Sequence, residues 1–307
     1  MNNRNILVTG GSGFIGSYLI KELSKDNRVV TIIRDVIPTK WINEALSKVI
    51  IIKGDILDYG LLYRVINDYQ IEEIYHLAAQ AIVSVAINDP ITTFKVNVMG
   101  TINILEACRQ IDKNIRILVQ STDKVYGGDK MYVNEKDQLS STIGVYETSK
   151  VCEDIIARLY GDYYSLNIRI TRPCNVYGYD LAPRIIPNTI KDCLSGKTPI
   201  IYEGQENTIR NYIYIEDVID ALKCIMEHKG IFNVGTDDVL TQKEVVRIIA
   251  KFFNMEPIKI KRDKPIKEIH QQSVNWNKLK SIGWYPKYNF VKGIEKTIDT
   301  YKKYGWI

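Results

Sequence analysis

The segment Asn5-Ile6-Leu7-Val8-Thr9-Gly10-Gly11-Ser12-Gly13-Phe14-Ile15-Gly16 joins a short apolar run to glycines at G-x-x-G-x-x-G spacing, and these lead into an amphipathic stretch from Phe14 to Ser24. The pattern predicts a strand, a tight turn and a helix. Without Cβ atoms the turn can approach an anion closely, and the N–H groups at the start of the helix point toward it. That arrangement suits the pyrophosphate of a dinucleotide, with Gly10, Gly13, Phe14, Ile15 and Gly16 as its contacts. Glycines alone would equally serve a tight turn with close helix–strand packing. The flanking strand and helix are what favour a ligand.

The same alternation continues outward. Ile6 to Thr9, Val29 to Ile33, Val49 to Ile52, Ile74 to Leu77, Ile115 to Gln120 and Ile168 to Thr171 read as strands, and Phe14 to Ser24, Tyr59 to Tyr69, Asn97 to Ile111 and Tyr146 to Tyr164 as helices. Strands apolar on both faces belong inside a sheet covered on both sides. The expected fold class is therefore α/β, a doubly wound parallel sheet of Rossmann type with a smaller C-terminal substrate-binding lobe. The expected dinucleotide-binding domain covers 1–172, with 209–234 returning to it, and 173–307 is mainly the second lobe.

With 307 residues, 45% of them hydrophobic, the chain can bury a large core. Its net charge of +5 is spread out, without a basic block that would suggest a nucleic-acid partner. Five dispersed cysteines, without CxxC or Cys/His spacing, argue against a disulfide framework and against a structural metal, and fit a reducing cytoplasm. Met1 to Arg4 run straight into the first strand, which leaves no room for a signal peptide, and no apolar run reaches membrane-spanning length.

The second predicted strand ends at Arg34-Asp35, about 20 residues past the glycines. Asp35 there would bind the adenosine ribose of NAD, whereas Arg34 would pair with the extra phosphate of NADP. Asp55, followed by Ile56, stands where it would meet the adenine or merely cap the next helix. After the fourth strand, Leu77-Ala78-Ala79-Gln80 supplies small residues that let the chain pass close to the ribose and nicotinamide. His76 reads as a packed strand-end histidine.

The densest chemistry is Ser121-Thr122-Asp123-Lys124-Val125-Tyr126-Gly127, followed by Tyr146 and Lys150. On a helix the last two share a face, with Cβ atoms roughly 5–6 Å apart, and an ammonium so placed draws down a phenol pKa. A half-buried tyrosine beside a snorkelling lysine is the ordinary alternative, as a solvated turn is for Asp123-Lys124.

Taken in order, Gly10 to Gly16, His76 to Gln80, Asn97, Ser121 to Gly127 and Tyr146-x-x-x-Lys150 resemble the extended short-chain dehydrogenase/reductase family, and within it the nucleotide-sugar 4-epimerases and 4,6-dehydratases. Later landmarks, Arg172 to Gly178, Ile209 to Val218, Phe232 to Gly235 and Ile282 to Pro286, extend the likeness over nearly the whole chain. Thr122-Asp123-Lys124 looks most like the CDP-glucose 4,6-dehydratase group. The resemblance implies recycled NAD as cofactor, touched also by Asn97, Tyr146 and Lys150, with Tyr146 as base for the sugar 4-hydroxyl and Thr122 holding the 4-oxygen. It implies Asp123 as acid toward the 6-hydroxyl and Lys124 as C5 base. Gln80, Thr122, Asn175, Arg184, Asn188, Arg210 and His270 would contact a nucleoside-diphosphate sugar, and the helices at 97–111 and 146–164 would form a homodimer interface. A 4-epimerase, or a 4-dehydrogenase or reductase, would use the same Tyr146/Lys150 pair. A non-catalytic dinucleotide sensor would leave it idle.

Overall fold

Strand β1 (Asn5–Thr9) buries Ile6, Leu7 and Val8 completely, as a strand covered on both faces must. The computed structural model describes residues 3–35, 39–140, 144–261 and 269–306. β1 pairs in parallel with β2 (Arg28–Ile33) on one side and with β4 (Glu73–His76) on the other. β3 (Ile50–Lys53) adds beyond β2, and β5 (Arg116–Gln120) and β7 (Asn167–Pro173) add beyond β4, all in parallel. β11 (Gly230–Val234) closes the far edge in the order β11-β7-β5-β4-β1-β2-β3. The chain crosses β1 between β3 and β4, so the loops after β1 and β4 diverge and leave a crevice at the carboxyl ends of the strands.

Seven α-helices alternate with these strands: α1 (Phe14–Leu23), α2 (Lys40–Leu46), α3 (Tyr59–Asp68), α4 (Val83–Asn88), α5 (Pro90–Phe94), α6 (Gly100–Ile111) and α7 (Val145–Tyr164). One turn, Lys95–Met99, is a π-helix fused to the start of α6. A 3-10 turn, Asp123–Tyr126, follows β5, and Thr122 caps it by accepting the Lys124 N–H.

The chain forms two compact units, one of 1–127, 138–172 and 219–232, the other of 128–137, 173–218 and 233–307. The returning segment is therefore shorter than the 209–234 expected. The reason is β10 (Ile209–Tyr214), which pairs with β8 (Asn175–Tyr177), β12 (Val239–Thr241) and β14 (Gln271–Val274). β6 (Lys130–Val133) joins β14 and so carries 128–137 into the second unit. That unit also contains a two-stranded sheet of β9 (Ile200–Tyr202) and β13 (Ile258–Ile260).

A fully buried ionic network ties β7 to α7 in the first unit. Arg172 on β7 donates to both carboxylate oxygens of Asp154 on α7, at 2.7 and 2.8 Å, and to the Tyr126 hydroxyl at 2.8 Å. Arg172 and Asp154 are both fully buried. Removing one partner strands a buried charge, which costs more than the intact pair contributes. Asp154→Asn should therefore lower unfolding stability by about 3–5 kcal/mol in urea titrations, and Asp154→Leu combined with Arg172→Met should recover part of that loss.

Candidate active site

The first two turns after β1 are built around glycines with separate tasks. Gly10 has φ of +74°, a conformation that L side chains rarely adopt. A Cβ on Gly16 would stand 2.0 Å from the Gly10 carbonyl oxygen, so this glycine lets helix and turn meet. A Cβ on Gly13 would meet only that same oxygen, at 3.2 Å, and otherwise open space. Gly13 caps α1 without a side-chain hydrogen bond, and the first turn of α1 carries no acidic residue. The start of the helix keeps its positive end and a clear approach, which fits a dinucleotide pyrophosphate.

At the end of β2 the two competing signals resolve electrostatically. Arg34 Nε lies 2.7 Å from Asp35, and Arg34 Nη1 lies 3.6 Å from Asp55. One guanidinium between two carboxylates leaves no cationic surplus for a 2′-phosphate. Asp55 accepts the Leu57 N–H, whereas Asp58 is the residue that caps α3. The Ile56 side chain is buried.

His76 and Asn97 hold the floor of this crevice. The Thr9 hydroxyl accepts the Ala78 N–H and donates to His76 Nδ1 at 2.8 Å. His76 Nε2 then donates to Thr101 Oγ1 at 2.9 Å, and the Thr101 hydroxyl donates to the Asn97 carbonyl. This chain of donors assigns His76 a neutral Nε2–H tautomer, and burial pushes its pKa down to about 3. Asn97, expected at the cofactor, also braces the protein. Its Oδ1 accepts the Gln80 N–H at 2.7 Å, and its Nδ2 donates to the Gln80 carbonyl and to Ser149 Oγ. Both amide hydrogens and one acceptor site of the amide oxygen are thus engaged by protein. Asn97 lies buried in the π turn, a feature that no local sequence pattern marks.

Gln80 spends its side chain on Ile82, donating to its carbonyl and accepting its N–H. Leu77, Ala78 and Ala79 are half-buried beside it.

The proton-handling residues all lie in the first unit. α7 packs against the 3-10 turn that carries Asp123 and Lys124. Lys150 is buried and donates from Nζ to the Gln120 carbonyl at 2.6 Å, which anchors it at the end of β5 just before Ser121 and Thr122. Tyr146 is half-buried one turn earlier, and its carbonyl accepts from Ser149 Oγ. The Thr122 hydroxyl donates to Asp123 Oδ1 at 3.1 Å, and the Asp123 side chain is buried. Lys124 is half-buried. The sequence reading passed over Glu153, whose carboxylate lies 2.5 Å from Lys150 Nζ. Its place three residues after Lys150 was visible, but its burial was not.

The second unit carries the other expected substrate contacts. Asn175 donates to the Asn211 carbonyl across the β8–β10 pairing. Arg210 is buried and spends donors on the carbonyls of Ile209 and Ile269. Arg184 is the more accessible guanidinium, 44% exposed and 3.4 Å from Asp180, and Asn188 and His270 are exposed.

Residues 7–297 match the family model described as GDP-mannose 4,6 dehydratase. The chain is 31% identical to a trifunctional UDP-glucose 4,6-dehydratase/UDP-4-keto-6-deoxy-D-glucose 3,5-epimerase/UDP-4-keto-L-rhamnose-reductase of Arabidopsis thaliana, over 97% of its own length and 47% of that protein. It thus spans about half the length of that plant relative. Among solved structures it resembles a dTDP-glucose 4,6-dehydratase from Bacillus anthracis in complex with NAD, with a TM-score of 0.87 and 26% identity over 99% of this chain and 98% of the other. It also resembles a UDP-glucose 4-epimerase from Thermus thermophilus in complex with NAD, with a TM-score of 0.81 and 28% identity over 97% and 99%. The chain belongs to the nucleotide-sugar epimerase and dehydratase family of extended short-chain dehydrogenase/reductases.

The glycine geometry separates two substitutions. Gly13→Val should leave thermal unfolding close to the parent yet weaken NAD binding by at least about 100-fold in calorimetric titration, because its side chain enters the pyrophosphate approach. Gly16→Val should lower the melting temperature itself.

Proposed function

We propose that this chain binds NAD and interconverts nucleoside-diphosphate hexoses through oxidation at C4. The observation that carries this reading is the anchoring of Lys150 to the Gln120 carbonyl, one helical turn from Tyr146, on a helix packed against the Thr122–Tyr126 segment. The glycine cradle supports a dinucleotide and the acidic pair around Arg34 supports NAD over NADP, and both solved relatives reported above contain NAD. When bound, NAD supplies the hydride acceptor and donor that side chains lack. Tyr146 takes the proton of the 4-hydroxyl, and Lys150 stabilises the tyrosinate. Thr122 assists the 4-oxygen once its hydroxyl turns away from Asp123.

Epimerisation at C4 needs no further group, and the reported epimerase aligns along nearly all of its length. One observation favours a second reading, 4,6-dehydration: the buried Asp123 carboxyl accepts from the very hydroxyl assigned to the sugar. There Asp123 would give a proton to the departing 6-hydroxyl and Lys124 would take the C5 proton. The narrower CDP-glucose branch rests on sequence likeness at Asp123-Lys124 and at 80–83, 97–101 and 268–271, whereas the relatives reported above are named for UDP- and dTDP-sugars. A net 4-dehydrogenase or reductase would change the balance of free NAD and NADH. Substrate contacts assigned to the second unit are Asn175, Arg184, Asn188, Arg210 and His270, with Arg184 the most accessible cation.

A homodimer is the proposed assembly. Ile155, Leu159 and Tyr163 form an exposed apolar stripe at i, i+4 and i+8 of α7, and Met99 at the start of α6 is exposed too. Among the described residues no helix is long and apolar enough to cross a membrane, and the five cysteines are unbridged, in keeping with a proposed cytoplasmic site of action.

Mass spectrometry of products from CDP-, GDP-, UDP- and dTDP-hexoses separates the outcomes, because a dehydratase product is lighter by one water and an epimerase product is not. Tyr146→Phe should lower kcat by about 10²–10⁴ with NAD affinity retained. Asp123→Asn should cost a dehydratase about 100-fold or more and leave an epimerase within roughly threefold. Leu159→Glu should convert a dimer to a monomer in light scattering.

A further inference from the structure

Glu153 lies one helical turn past Lys150 on the buried face of α7, with 1% of its surface exposed. Its Oε2 stands 2.5 Å from Lys150 Nζ, a close ion pair without the direction of a good hydrogen bond. Lys150 is itself 3% exposed and donates in addition to the Gln120 carbonyl. An oxidising tyrosine–lysine pair has no need of this carboxylate. A carboxylate at such a distance works against it, because it offsets the field by which the ammonium draws down the phenol pKa.

We propose that Glu153 is a positioning residue that fixes the Lys150 ammonium at the end of β5 and sets the strength of its field at Tyr146, an inference that rests on Tyr146 and Lys150 being the pair that oxidises C4. Burial, outweighing the attraction of Lys150, pushes the Glu153 carboxyl up to about 7, so its charge changes near neutral pH. The field on Tyr146 is then full when Glu153 holds its proton and reduced when it does not.

The other titratable groups on α7 and on the elements packed against it begin with Glu147, buried beside Tyr146 in the first turn of α7. Asp154, the residue after Glu153, is bound to Arg172. His76 on β4 feels Lys150 but remains an uncharged ring. The 3-10 turn brings Asp123 and Lys124, with Asp123 accepting from Thr122. α6 brings Glu106 and Arg109, which pair with each other. On the α4, α5 and π segments stands the exposed Lys95, while Asp89 caps α5.

The test reads Tyr146 directly, without a sugar substrate. Tyrosinate absorbance is titrated with NAD present, and subtraction of the Tyr146→Phe variant isolates the one phenol among the twenty tyrosines. The Glu153→Gln protein, treated with its own Tyr146→Phe counterpart, should show the Tyr146 midpoint lowered by half a pH unit or more. Glu153→Asp, which keeps the charge on a shorter arm, should fall between Glu153→Gln and the parent. Equal midpoints in the parent and in a folded Glu153→Gln protein would overturn the proposal. If Glu153→Gln does not fold, Glu153→Met fills the same volume without a charge and is read the same way. Should parent and Tyr146→Phe titrate identically between pH 6 and 9, the assignment of Tyr146 itself fails, and that result is distinct from a failure of Glu153.

Discussion

The bidentate contact between Arg172 and Asp154, extended to the Tyr126 hydroxyl, ties the three elements around the proposed proton-handling residues. Arg172 ends a central strand, Asp154 sits mid-way along the helix bearing Tyr146 and Lys150, and Tyr126 closes the turn bearing Asp123 and Lys124. Each polar group in the triad is out of water, so none can drift without leaving an uncompensated charge. The orientation of α7 against β5 and β7 is thereby fixed, and with it the point at which Lys150 meets the Gln120 carbonyl. A site that must hold a phenol, an amine and a hydroxyl in one geometry gains from such a rigid support.

A second, uncharged network does for the crevice what the ionic one does for the helix. Thr9, His76, Thr101 and Asn97 pass hydrogen bonds from the end of β1, through β4, to the start of α6. Asn97 then reaches both Gln80 and Ser149, linking the loop after β4 to the turn of α7 that holds Tyr146. The floor of the crevice and α7 are thus joined by neutral groups, which keep their arrangement over a wide pH range because His76 stays uncharged.

What the sequence disclosed follows from the range of the forces involved. The strand, turn and helix from Asn5 to Leu23 were readable because apolar periodicity and glycine spacing are local signals. So were the spans of β2, β5, α3 and α7. The stretch Ile209–Tyr214 was recognisable as structured, but nothing in β-propensity names a strand's partner, and it joined the other sheet. Short helices such as Lys40–Leu46 and Pro90–Phe94 carry too few turns to show a period. Tyr146, Lys150, Thr122 and Asp123 were visible as residues, whereas the Arg172–Asp154 pairing spans 18 positions and depends on tertiary packing. Glu153 escaped notice for the opposite reason: a glutamate on a long helix normally faces water.

The π turn at Lys95–Met99 gives the site an unusual dependence on chain length. A π turn holds one more residue than an α turn, so the residues before and after it are out of phase with a regular helix. Deleting a single residue there would let a regular α-helix form, which changes the faces that the residues inside the turn present while the flanking turns keep theirs. Asn97 would then face elsewhere, and Gln80 and Ser149 would lose their common partner although no residue in contact with a ligand had been altered. Insertions and deletions, which surface loops absorb at little cost, are in this turn equivalent to removing the brace.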